Sequence, residues 1–240
     1  MSLFLLPLHH LMSNRAPRPS PIAGLADAKP LLRGYSHGLT TPVALAAAIF
    51  LAVMVRDDPV KLTAMLVYGV TMVMLFGGSA VYHIGHWSDR VAEYLRRLDH
   101  SNIYLFIAGT YTPIAAILLQ GWWRISVLAV VWVLAVTGLV VVVTGVPKPR
   151  WLEALSYVGI GWVAIAALPR LVAVVKGPGL ALLVAGGALY SIGAVCYALR
   201  RPTLSLKVFG YHELFHLMVI GATASFFTFM VLYVVPSARV

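Results

Sequence analysis

Seven long apolar runs dominate this chain, at about 38–55, 62–86, 100–119, 125–144, 152–169, 179–199 and 208–235. Each is long enough to cross a hydrocarbon core of ~30 Å as a helix. Each is also continuous, whereas the strands of a membrane barrel would alternate. The composition agrees: of 240 residues, 60% are hydrophobic and 11% charged, against ~25% charged in a typical soluble domain. The expectation is an all-α integral membrane protein, multi-pass in the cell membrane, with one seven-helix domain over 37–240. Residues 1–36 carry Pro7, Pro17, Pro19, Pro21 and Pro30 and read as a flexible tail. The opening "LFLLPLHH" is too short and Pro-broken for a signal peptide. No internal repeat is visible. Gly77, Gly78, Gly159, Gly161, Gly186, Gly187 and Gly193 offer places for close helix approach. The single cysteine, Cys196, reads as a packing residue.

The net charge is +10, but the basic residues are spread over short gaps between apolar runs, which argues against a nucleic-acid surface and for loops facing anionic lipid. With the N-terminus inside, twelve basic residues fall on inner segments: Arg15, Arg18, Lys29, Arg33, Arg90, Arg96, Arg97, Lys148, Arg150, Arg200, Arg201 and Lys207. Six fall outside: Arg56, Lys61, Arg124, Arg170, Lys176 and Arg239. The positive-inside rule then gives a cytoplasmic N-terminus and an external C-terminus. Arg96 and Arg97 read as part of this signal.

Six histidines, His37, His83, His86, His100, His212 and His216, collect at the cytoplasmic ends of the spans under that topology, although they took no part in the count. "HELFH" at 212–216 matches the metalloprotease pattern H-E-x-x-H. His212 and His216 are i,i+4 and share a helix face. His83, at comparable depth on the second span, is the natural third nitrogen, and the fourth position stays open, as in a catalytic zinc site. Asp99, placed at the opening of the third span, could hold a water there. Ser79 lies one turn from His83 on the same face. His37, His86 and His100 are also compatible with plain interfacial residues.

The stretches "GGSAVYHIGHWS", "LRRLDHSNIYLFIAGTYTP" and "HELFHLMVIGA" resemble the bacterial hemolysin III proteins, within the superfamily of progestin and adipoQ receptors that includes adiponectin receptors. The resemblance runs from about residue 30 onward. It implies zinc on His83, His212 and His216, Asp99 held to the metal through water, Ser79 nearby, and seven helices with the N-terminus inside. One departure concerns an early E-x-x-N-x-x-x-H pattern: with its histidine on His37, Pro30 stands in place of Glu and Arg33 in place of Asn.

Four functions fit these features. The first is a zinc-dependent hydrolase of lipid amide or ester bonds, ceramidase-like, with membrane lipid as partner. The second is a membrane-permeabilising hemolysin, the third a receptor or homeostasis protein with structural zinc, and the fourth an intramembrane metalloprotease using Glu213 as base. Three ligands and an open position favour the hydrolase. The uncharged centres of the fourth and sixth spans disfavour a pore through one chain, and a homo-oligomer remains compatible with the sequence.

Overall fold

The computed structural model describes residues 32–175, 177–202, 205 and 208–238. Their architecture is all-helical: α1 (Tyr35–Met54), α2 (Pro59–Ile84), α3 (Asp89–Leu118), α4 (Gly121–Val143), α5 (Arg150–Gly161), α6 (Ala164–Val174), α7 (Pro178–Leu199) and α8 (Tyr211–Phe229), with a π-helical continuation at Met230–Val234. Joined end to end, α5 and α6 form one span and α8 with its continuation forms another, so seven segments are long and apolar enough to cross a membrane. This is a seven-span membrane protein.

The second and third spans are the interior ones, with 56% and 67% of their apolar windows buried against 17–33% elsewhere. The outer spans turn rows of apolar side chains such as Leu39, Val43 and Val133 outward, as lipid contact requires. α1 packs on both α2 and α8, and this closes the bundle.

Local chemistry sets several helix starts. Asp58 accepts from the Val60 and Lys61 amides at 3.1 Å each, with Pro59 at the first helical position of α2. The Lys61 ammonium donates to the Val235 carbonyl at 2.8 Å and so ties this turn to the end of the last span. Gly34, before α1, has φ +86 and lies so close to His83 that a Cβ there would stand 2.6 Å from the His83 Cβ. Only glycine meets both demands.

The third run starts earlier than its hydropathy indicates. α3 begins at Asp89 and not near residue 100. Its first turns are amphipathic, held by Glu93 pairing with Arg96 and Arg97 at 2.9 and 2.8 Å, and a hydropathy window reads such a stretch as a loop. Asp99 and His100 therefore do not open the helix; they lie about 15 Å along it. Arg97 also donates to the Val143 carbonyl at 2.9 Å, at the end of α4.

The fifth span breaks between Gly161 and Ala164. The Tyr111 hydroxyl fills the break, donating to the Gly161 carbonyl at 2.6 Å and accepting from the Ala164 amide at 2.8 Å. It satisfies backbone groups that would otherwise be stranded at membrane depth. Pro169, in α6, cannot donate to the Ile165 carbonyl and weakens the same region. Of the glycines expected to admit close neighbours, Gly78 abuts Asn102 and Gly186 abuts Phe226, while Gly159, Gly161 and Gly187 have nothing within 4 Å of a built Cβ. Cys196 is a free, half-buried thiol.

Candidate metal centre

Two helix ends meet at one side of the bundle. The last turn of α2 carries His83, and the first turns of α8 carry His212 and His216. The Nε2 atoms of His83 and His212 converge to 3.2 Å. The ligand atoms of all three histidines lie within 4.8 Å of one another. Nitrogens sharing one zinc at ~2.0–2.1 Å in a tetrahedral arrangement stand about 3.4 Å apart, so small torsional shifts complete such a set. The donor chemistry fits as well: three imidazoles suit zinc and other first-row transition ions. Two further ring atoms, Nδ1 of His83 and of His216, are buried without a hydrogen-bond partner among the described residues. The three histidines can therefore hold a metal ion.

The other expected residues gather around this trio. Asp99 Oδ2 is 3.6 Å from His83 Nε2. The Ser79 hydroxyl is buried, has no partner among the described residues, and lies on the wall of the same cavity as Asp99, His212 and His216. The remaining histidines divide. His37 is buried and stacks on His216 at 3.8 Å between ring centroids. His100 reaches the cavity wall while its Nδ1 meets Glu153 Oε1 at 2.9 Å. His86 is exposed and stands apart from the cavity lining.

Glu213, the glutamate of H-E-x-x-H, is turned to structural work. One oxygen accepts from Arg33 Nε at 2.8 Å and the other from the Gly210 amide at 2.7 Å, which caps α8. It does not line the cavity. A zincin base needs a free oxygen facing the reacting water, and neither oxygen here is free.

The cavity itself has a volume of about 440 Å³. Its wall is mainly apolar and takes in Ser79, Asp99, His212 and His216, with His37 and His100 beside them. From there it follows α3 past Ile103 and Ile107 to Ile114 and Leu119, between walls supplied by α6, α7 and α8. Tyr111, which splints the fifth span, is on this wall.

The sequence profile of the haemolysin-III related family matches residues 26–227. Hemolysin-3 of Bacillus cereus is 34% identical over 210 residues, covering 87% of this chain and 93% of that protein. This chain belongs to the haemolysin-III related family. The Hemolysin-3 homolog of Bacillus subtilis is 32% identical, with 85% and 94% covered. The human monocyte to macrophage differentiation factor is 28% identical over 196 residues, with 79% and 78% covered, which carries the wider adiponectin-receptor-like resemblance. Family membership and seven apolar spans together make it a multi-pass protein of the cell membrane.

Glu153 and Arg33 belong to the surroundings of this haemolysin-III related site; the sequence pointed to Arg33 only as an inner basic residue standing in place of Asn, and to Glu153 not at all. Glu153 is buried, and besides His100 it meets the Lys148 ammonium at 3.2 Å. A lone acid near the start of an apolar run was the available signal, since burying one is costly. Arg33 and Glu213 are 180 positions apart, and no local pattern announces that pair.

Proposed function

We propose that this protein is a zinc-dependent hydrolase of amide or ester bonds in membrane lipids, with its site at the cytoplasmic face. The observation that carries the proposal is one continuous, mainly apolar cavity whose wall includes His212, His216, Asp99 and Ser79. His83, His212 and His216 would hold the metal, with Asp99 beside His83. Zinc in such a site supplies an acidified water and polarises a carbonyl. Asp99, 3.6 Å from His83, would orient an attacking water and accept its proton. Ser79 donates a hydrogen bond to the carbonyl oxygen as charge develops on it. The apolar limb, from Ile103 to Leu119, receives an acyl chain and brings the polar linkage to the level of the histidines. The orientation rests on the twelve-to-six distribution of basic residues.

The relatives named Hemolysin-3 raise membrane permeabilisation as a second reading. A water path through one chain needs polar groups along its length, and the far half of this cavity is walled by residues such as Ile114, Leu119, Leu171 and Leu180. Permeabilisation would then require several copies.

The test incubates detergent-purified protein with ceramides and other acyl lipids and measures free fatty acid. Wild type should release it, and Asp99→Asn, with zinc retained, should release at least ~100-fold less. Equal release from the two proteins removes the basis of the proposal, and dye leakage from liposomes then becomes the decisive assay.

A further inference from the structure

The proposed chemistry leaves His37 without a task, although it is only 2% exposed. Its position is tightly set. It lies in the first turn of α1, three residues after the Gly34 seat against His83. One face of its ring lies on His216, 3.8 Å away and 15° from parallel. Phe76 meets it edge-on at 5.0 Å and 82°. The ring is thus held between α2 and α8, the two helices that supply the histidine trio.

Among the described residues neither of its ring nitrogens closes a hydrogen bond. A buried polar side chain without a partner is costly and asks for an explanation. The same side chain lines the cavity together with Ser79, Asp99 and His216. The stack also limits what it can do. An ion in the plane of the His216 ring lies out of the His37 plane by about the stacking distance, where the in-plane lone pair of His37 cannot reach it. While stacked, His37 is therefore not a fourth ligand. A molecule held in the cavity, whose wall His37 shares with Ser79, Asp99 and His216, can reach its ring edge instead.

We propose that His37 is a ligand-contacting residue of this site, whose ring hydrogen-bonds the oxygen group that a cavity-bound molecule presents to the three histidines. A neutral imidazole carries one donor and one acceptor nitrogen, so it suits a carbonyl, a carboxylate or a hydroxamate. The inference rests on the metal reading above but not on turnover.

The test uses the full chain in detergent, loaded with cobalt(II), and octanohydroxamic acid as the probe. Binding is read from the visible spectrum of the cobalt and from isothermal titration. His37→Phe keeps the stacked ring and removes both nitrogens. It should keep its cobalt and bind the hydroxamate about tenfold or more weakly, the effect of one hydrogen bond to a charged group. His37→Gln, which carries a donor and an acceptor, should keep cobalt and stay within roughly threefold of wild type. Should Phe alone lose cobalt, Gln decides: affinity near wild type supports the contact, and a tenfold loss overturns it. The proposal also fails if His37→Phe binds hydroxamate like wild type, for then the ring only packs. It fails again if both variants lose cobalt, for then His37 holds the ion or the fold. A wild type that takes up no cobalt sinks the metal reading itself, whereas hydroxamate binding indifferent to His37 sinks this proposal alone.

Discussion

Arg33 Nε donates to Glu213 Oε1 at 2.8 Å, joining the residue just ahead of Gly34 to the first turn of the last span. Glu213 is nearly buried, its side chain 3% exposed, while Arg33 retains 20%. The second Glu213 oxygen is spent on the Gly210 amide. In this chain the glutamate of the H-E-x-x-H stretch fastens the first span to the helix that carries His212 and His216.

Removing one partner of that pair strands the other. Arg33→Ala should destabilise the protein by about 2–4 kcal/mol, towards the low end because the guanidinium stays partly hydrated. Glu213→Gln keeps the shape and a cap for Gly210 and should cost less, about 1–2 kcal/mol. Thermal unfolding in detergent measures both. Zinc content and lipid hydrolysis should survive Glu213→Gln, and abolished turnover with full zinc would return the glutamate to the role of base.

The metal makes a stoichiometric prediction. Protein prepared without chelators should carry close to one zinc per chain, and His216→Ala should carry little or none, measured by plasma emission spectroscopy. Acid should release the ion, because a protonated imidazole has no lone pair to offer. Ser79→Ala should retain it. An unchanged zinc content in His216→Ala would relocate the site.

The Tyr111 hydroxyl offers a separable test of the fold. Tyr111→Phe leaves the ring in place and deprives the Gly161 carbonyl and the Ala164 amide of their partner. A loss of about 1–3 kcal/mol should follow, read as a lower unfolding midpoint with zinc still bound. No change in the midpoint would mean that water or a shifted backbone replaces the hydroxyl.

The far end of the cavity should set chain length. Ala115 is buried and forms part of the wall a full helical stretch beyond Asp99. Ala115→Phe should lower hydrolysis of long-chain lipids about tenfold while short-chain analogues react as before, since one misfitting group in an apolar pocket changes selectivity by ~10–200-fold. Equal losses for both chain lengths would point to damaged packing.

Membrane orientation is measured by reporter fusions in the 145–149 loop and after Val240. A phosphatase reporter should be active after Val240 and silent in the loop. The reverse pattern would turn the whole bundle over and move the metal site to the outer face.

Much of this architecture was legible because lipid imposes so simple a rule: a span must be apolar and long, and seven stretches are. The convergence of His83, Asp99, His212 and His216 was legible from depth, since alternating spans return every second helix end to the same side. What escaped was polar contact between distant segments. Glu153 meets His100 from another span, Arg33 reaches across almost the whole chain to Glu213, and Tyr111 enters a break in the fifth span that no hydropathy window marks. The first turns of α3 were hidden for a related reason: their stability comes from charge pairs at helical spacing, which hydropathy counts against a helix.

The seat of Gly34 against His83 decides how freely the front of the chain can be altered. Any side chain at 34 would wedge α1 away from α2 and tilt His83 from its neighbours. A substitution at a residue with no chemistry of its own would then read, in a metal assay, like the loss of a histidine.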